Sequence, residues 1–338
     1  MTGPVGVGLV GYGMAAAALH APLIGAEPAL ALRAVVSRDP AKVHRDLPAV
    51  RVVSDVDALL ADPAIGLVVV AAPTGAHHAV AAAALRAGRH VVVDKPMTAT
   101  LAEADELVAL SGGRLATFHQ RRWDSDFLTL AGCLRSGLVG RPATYLARYD
   151  RFRPEPVDRW RERPGPGAGL LADLGSHQVD QVLHLFGPPA AVTADVGAQR
   201  PGATVDDYYH LVLSYGPLRA ILHAGSLVRA PGPRLELHGD AGSYVSGDPD
   251  GQIEALLAGR RPGAPGWGSD GDPGTVTTAD GARPAERVPG AYGTFYRAMA
   301  AAVRGTGPVP VPGEAAREVV RVLELARRSS AEGRTVPL

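Results

Sequence analysis

Short runs of Val, Leu and Ala recur through the first third of the chain, at Pro4–Val10, Leu30–Val36, Val52–Val53, Gly66–Ala71, His90–Val93 and Leu115–Phe118. They are apolar at nearly every position instead of every second one, which is how strands covered on both faces read. Between them lie helical stretches at Ala15–Gly25, Ala41–Asp46, Asp55–Ala61, His77–Ala87 and Leu101–Leu110. Ser54 precedes one of these, and Thr100 with Glu103 forms a capping box for another. Strands and helices alternating at this spacing predict an α/β domain with a doubly wound parallel sheet, placed at residues 1–121.

After Gln120 the pattern changes. A helix at Asp124–Ser136 is followed by a strand at Ala143–Tyr149 and a long helix near Leu170–Phe186. Strand-like runs then follow one another at Ala190–Ala198, Asp206–Tyr215, Leu218–Ser226, Arg234–His238 and Gly242–Ser246. Such a series predicts an α+β domain over residues 122–338 with a largely antiparallel, open sheet. Residues Gly259–Gly290 are rich in Gly and Pro, and within them Thr275–Ala279, Asp280-Gly281 and Ala285–Val288 read as a hairpin. Two helices, Thr294–Arg304 and Gly313–Glu332, close the chain. The sheet has no helix pattern to cover its second face, so a second copy of the chain is expected there, in a homodimer or homotetramer.

Composition narrows the function. The 338 residues suit about two domains of roughly 100–200 residues. Acidic and basic residues both number 34, and this balance argues against a nucleic-acid or membrane-surface partner, either of which needs a basic excess. Cys133 is the single cysteine, and no apolar run approaches the ~18 residues of a membrane span, so a reducing, cytoplasmic setting is expected. The N-terminus lacks a basic flank and reads as a strand instead of a signal peptide. Of the 34 basic residues only Lys42 and Lys95 are lysine. A lysine here therefore invites the question of why arginine was not used.

The segment Gly11-Tyr12-Gly13-Met14-Ala15-Ala16 ends the first predicted strand and opens a helix. Gly11 permits the tight turn, Gly13 lets backbone amides approach a pyrophosphate, and Ala16 still allows close helix–strand packing. This is the dinucleotide-binding loop of a Rossmann domain. Farther on, the second strand runs into Ser37-Arg38-Asp39. A hydroxyl and a guanidinium in place of a carboxylate favour NADP, through the 2′-phosphate. Asp39 keeps NAD open, because it could reach the ribose, although capping the next helix ahead of Pro40 is its alternative role.

Two further features carry chemistry. Lys95, in Asp94-Lys95-Pro96, stands at the carboxyl end of the fifth strand, where open parallel sheets bind ligands. An ammonium there can hold a substrate oxygen and ease its deprotonation. In a regular helix, Asp173, His177, Asp180 and His184 would share a narrow polar stripe opposite Leu171, Leu174 and Val179. The stripe can be a solvated face or a partial metal site, though no cluster supplies the further ligands and no metal is expected. It can also be an acid–base pair in which His177 moves a proton and Asp173 holds substrate hydroxyls. Beside a nicotinamide site the last fits best.

These residues together resemble the Gfo/Idh/MocA oxidoreductases over the whole chain. The resemblance rests on the Gly11–Ala16 loop, on Ala72-Pro73-Thr74-Gly75-Ala76-His77, on Asp94-Lys95-Pro96 (usually Glu-Lys-Pro) and on the Asp173–His177 element. It implies that Lys95, Asp173 and His177 are catalytic, and that Pro73, Thr74 and His77 join Gly11, Tyr12, Gly13, Met14, Ala16, Ser37, Arg38 and Lys95 around the cofactor. His20-Ala21-Pro22-Leu23-Ile24 and Gln120-Arg121-Arg122-Trp123-Asp124 look like the NADP-dependent scyllo-inositol dehydrogenase branch. That likeness implies a polyol or sugar substrate held by Lys95, Arg122, Trp123, Asp173 and His177. A catalytically inactive, NAD(P)-sensing regulatory protein of the same fold is the alternative; the presence of all three catalytic side chains speaks for the enzyme.

Overall fold

Six parallel strands, β1 (Val5–Val10), β2 (Leu30–Val36), β3 (Arg51–Val53), β4 (Ile65–Val70), β5 (His90–Asp94) and β6 (Leu115–Phe118), form a sheet in the order β3-β2-β1-β4-β5-β6. The structure, a computed structural model, describes residues 3–338. Every residue of β1 is buried, as expected of a central strand wrapped on both faces. Close packing there needs small residues: a Cβ at Gly6 would lie 2.1 Å from the Ala64 carbonyl oxygen. The order in which successive strands are added reverses between β1 and β4, and crevices at such switch points receive ligands.

The chain divides into two compact units, and the first is not continuous in sequence. It comprises the stretch through Gln120 together with Gln252–Trp267 and Tyr292–Arg317. A single cut at 121 therefore leaves part of this unit behind. The returning segments complete its core: Phe295 meets Phe118 edge to face at 4.9 Å, and the Thr117 amide donates to the Val311 carbonyl at 3.1 Å. The Tyr292 amide donates to Gln252 Oε1 at 2.9 Å, which ties the two returning segments together.

The second unit is built on nine strands: β7 (Pro142–Arg148), β8 (Ala191–Gly197), β9 (Tyr208–Tyr215), β10 (Leu218–Gly225), β11 (Leu235–Gly239), β12 (Gly242–Val245), β13 (Thr275–Thr278), β14 (Gly281–Pro284) and β15 (Val336–Pro337). Their order is β14-β13-β12-β11-β7-β10-β9-β8-β15, antiparallel except for β7 beside β10. Burial alternates along β9 and β10, so one face carries the core, including Tyr145, Tyr209, Leu211, Leu222 and Tyr244. The α/β class, the parallel first sheet and the largely antiparallel second one agree with the sequence pattern.

Three details differ. The hairpin turns at Ala279-Asp280, one residue before the Asp280-Gly281 expected, because Thr278 pairs with Gly281. Its second strand is Gly281–Pro284, not Ala285–Val288. The helix Gln252–Leu257 and the strand β15 are too short for periodicity to announce them. Among the described residues no helix is long and apolar enough to cross a membrane.

Candidate active site

In the first unit, Gly11 leaves β1 with φ of 88°, in the left-handed region where glycine is favoured. A Cβ on it would lie 3.0 Å from the Ala71 carbonyl oxygen. Around Gly13 the reverse holds, since nothing lies within 4 Å of an added Cβ. The loop thus offers open backbone at the start of a helix, the feature a pyrophosphate requires. Met14, 64% exposed, stands free at this edge, while Ala16 is fully buried. The Tyr12 side chain turns away into the protein and donates to Asp46 Oδ2 at 3.2 Å. Burial, helped by that carboxylate, pushes its phenol up to about 12.

At the end of β2, Asp39 is engaged as a helix cap, its Oδ1 accepting the Lys42 amide at 3.0 Å. Ser37 Oγ accepts the Asp39 amide at 3.1 Å. Arg38 is exposed between them. Pro73 leads into the short turn Thr74–Ala76, in which Thr74 is buried. His77 is buried as well, with Nδ1 3.0 Å from the Pro96 carbonyl oxygen and Nε2 2.8 Å from that of Ala72. Its ring therefore braces two loops of the crevice through their backbones. An open amide loop at a helix start, with an exposed guanidinium at the end of the next strand, fits a dinucleotide.

Lys95 follows β5 and is only 9% exposed; its amide donates to Asp94 Oδ1 at 2.8 Å. Behind Asp94 lies His20, fully buried, with Nε2 3.9 Å from Asp94 Oδ1 and Nδ1 2.5 Å from the Tyr296 hydroxyl. Burial, against the pull of Asp94, takes the His20 pKa down to about 4, so the ring is neutral at pH 7. The sequence pattern shows His20 only within a branch-like motif, and Tyr296 not at all, since 276 residues separate the two.

In the second unit, the helical segment bearing Asp173 and His177 starts under a cap from the loop that precedes β9. Asp206 Oδ2 accepts the Leu171 amide at 2.7 Å, and the Asp206 carbonyl accepts that of Leu170 at 2.8 Å. Gly169 makes room for this cap, since a Cβ there would fall 2.1 Å from Asp206 Oδ1. The segment then opens into a π-helical turn at Leu171–Gly175 before Ser176–Phe186 continues as α-helix. Asp173 sits inside the wide turn, so the regular angular step assumed for the polar stripe does not hold. Such turns recur at functional sites.

Burial excludes a solvated face for the central members: His177 is 3% and Asp180 1% exposed. His184 alone is on the exposed side. Asp173 Oδ1 lies 3.3 Å from Arg161 Nε. Gln178 fixes the helix to the sheet, donating to the Ala147 and His223 carbonyls at 3.0 and 3.1 Å and accepting the Tyr209 hydroxyl at 2.6 Å. Arg122, expected on the substrate, instead turns its fork to Asp180, with Nε–Oδ2 2.8 Å and Nη2–Oδ1 2.7 Å. Trp123 is half-buried, and its carbonyl accepts the Ala291 amide at 3.0 Å. A cavity of about 590 Å³ opens beside this region, lined by Tyr149, Arg151, Leu174 and Arg234 among others. Arg151 also faces the narrow crevice that contains Asp173 and Arg161.

Comparison with known proteins places both units. Residues 5–118 match the model described as "oxidoreductase family, NAD-binding Rossmann fold", and residues 131–338 its companion, the "C-terminal alpha/beta domain". The chain is 44% identical to the uncharacterized oxidoreductase YdgJ of Escherichia coli, all of both chains being covered. It is 42% identical to scyllo-inositol 2-dehydrogenase (NADP(+)) IolW of Bacillus subtilis, over 98% of this chain and 95% of that protein. The solved structure of Bacillus subtilis yvaA superposes with a TM-score of 0.96 at 41% identity, covering 100% of this chain and 99% of that one.

Proposed function

Because the chain belongs to the Gfo/Idh/MocA oxidoreductase family, we propose that it is a dehydrogenase acting, with NADP in preference to NAD, on a secondary alcohol or ketone of an inositol-like polyol or a sugar. The observation that carries the reading is the intact trio Lys95, Asp173 and His177, each held on a rigid support. Asp173 and His177 follow the Asp206 cap and the Gln178 anchor, and Lys95 follows the end of β5. The nicotinamide, when bound, accepts or returns the hydride.

The chain's own groups handle the oxygen and its proton. His177 takes the proton from the reacting hydroxyl, a task suited to imidazole near neutral pH. Lys95 orients that oxygen and stabilises negative charge as it develops. Asp173 accepts a hydrogen bond from a neighbouring hydroxyl and thereby sets the ring of the substrate. NADP is supported by Asp39, whose carboxylate is occupied as a cap, and by the exposed Arg38 beside it. The identity with IolW supports the polyol.

The deciding experiment measures nicotinamide absorbance for a panel of inositols, sugars and sugar acids with NADP⁺ and NAD⁺. Turnover with none of them would favour the regulatory protein. The proposal extends to a cytoplasmic homo-oligomer, a dimer or tetramer, in which the second face of the β7–β12 sheet meets another copy. A monomer by sizing chromatography with light scattering at micromolar concentration contradicts that part.

A further inference from the structure

Arg151 leaves the end of β7 with its backbone fixed on both sides. Its amide donates to the Gly225 carbonyl at 3.0 Å, and its carbonyl accepts the Val228 amide at 3.1 Å. The side chain lines the 590 Å³ cavity together with Tyr149 and Leu174, and it lines the crevice that holds Asp173. Its guanidinium is partly buried, which draws its pKa below the ordinary arginine value. Nε is shielded from solvent without a hydrogen-bond partner, and among the described residues Arg151 forms no ion pair.

The carboxylates lining the crevice of Asp173 are already committed, Asp206 among them through the Leu171 amide at 2.7 Å and Arg327 at 3.2 Å. Asp173 lies 3.3 Å from Arg161, and Glu162 is 2.7 Å from Arg159 and 3.0 Å from Arg200. Asp207 pairs with Arg200 at 2.8 Å, while Asp150 accepts the Gly225 amide at 3.0 Å and stands 3.3 Å from His223. Arg151 is therefore left without an ion pair among the described residues while lining both the cavity and the crevice of Asp173. A guanidinium so placed, with its donors in a planar fork, is suited to two oxygens side by side.

We propose that Arg151 is a substrate-binding residue whose fork holds two adjacent oxygens of the substrate, remote from the carbon that is oxidised. Those oxygens are a vicinal hydroxyl pair of a neutral polyol or the carboxylate of a sugar acid. This assignment rests on the dehydrogenase reading above.

The test compares wild type with Arg151→Lys, which keeps the charge without the fork, and Arg151→Gln, which keeps donors without the charge. Steady-state kinetics are taken on a neutral arm (scyllo- and myo-inositol) and an acid arm (glucuronate), with NADP⁺ affinity by fluorescence and Tm as controls. On the accepted substrates of at least one arm, KM should rise roughly 10- to 100-fold in both variants, as loss of a charge-assisted hydrogen-bonded pair implies, while NADP⁺ affinity and Tm hold. A rise confined to the acid arm identifies the carboxylate; a rise on the inositols identifies the diol. KM within twofold of wild type for both variants on all accepted substrates overturns the assignment while leaving the dehydrogenase intact. A wild type that turns over nothing in either arm, with either cofactor, removes the enzyme reading and this assignment with it.

Discussion

Arg122 and Asp180 meet in a two-pronged ion pair at 2.8 and 2.7 Å, with Asp180 buried and its helix bearing His177 three residues earlier. Gln181 adds a second tie, donating to the Arg121 carbonyl at 3.0 Å. The turn after β6 is thereby fixed to the helix that carries the proposed base. Arg122 thus ties the turn after β6 to the helix that bears His177, with Nε and one Nη2 donor engaged by Asp180.

Removing one partner of a buried pair leaves an uncompensated charge. Asp180→Ala should lower stability by about 3–5 kcal/mol, and Asp180→Asn by less, because an amide still accepts one hydrogen bond. Denaturant unfolding checks this. A loss below about 1 kcal/mol for Asp180→Ala would mean that water compensates Arg122 and that the pair does not hold the helix.

Cofactor choice turns on two residues. Arg38→Ala should weaken NADP binding roughly tenfold and leave NAD unchanged, since only the 2′-phosphate meets that guanidinium. Ser37→Asp should reverse the preference by repelling the phosphate. Fluorescence titration with both dinucleotides measures each effect, and equal losses for NADP and NAD in Arg38→Ala contradict the assignment.

The proposed proton transfer makes a kinetic prediction. His177→Ala and Lys95→Ala should each lower kcat by about 10²–10⁴-fold while NADP binding persists. Lys95→Arg should not restore activity, because a guanidinium differs in reach and does not release its proton. If His177→Ala keeps near-wild-type turnover and an unchanged pH profile, Lys95 becomes the leading candidate for the base.

His20 predicts acid sensitivity. Its pKa falls from 6.5 when unfolded to about 4 when folded, so the unfolded chain binds the extra proton between those values. Stability from this group is therefore complete above about pH 6.5 and is lost as pH falls towards 4. Replacing the ring with an apolar one, His20→Phe, should flatten this part of the Tm profile between those pH values. A parallel offset at every pH would show that His20 does not titrate there.

The first sheet was legible because its strands β1, β4, β5 and β6 are buried almost throughout and therefore read as nearly unbroken apolar runs. The backbone angle of Gly11 favours glycine and the space around Gly13 is open, and both were legible by their spacing after β1. The π turn around Asp173 was not, since an extra residue in one turn leaves the composition of a helix unchanged. The partners of Arg122 and His20 lie 58 and 276 residues away, and no local pattern carries such pairings. Arg151 escaped notice because, in a chain with 32 arginines, only the commitments of its neighbours set it apart.

The returning segments of the first unit bear on how this chain can be cut and recombined. A fragment ending near residue 120 would present Phe118 without Phe295 and would leave His20 without the Tyr296 hydroxyl. Such a fragment should aggregate instead of serving as a portable nucleotide-binding module. A graft that exchanges cofactor preference between relatives would have to carry Gln252–Trp267 and Tyr292–Arg317 along with the N-terminal stretch. Recombination at a single crossover is thus disfavoured by the packing itself, and point changes at Ser37 and Arg38 are the shorter route by which such a chain can alter its dinucleotide.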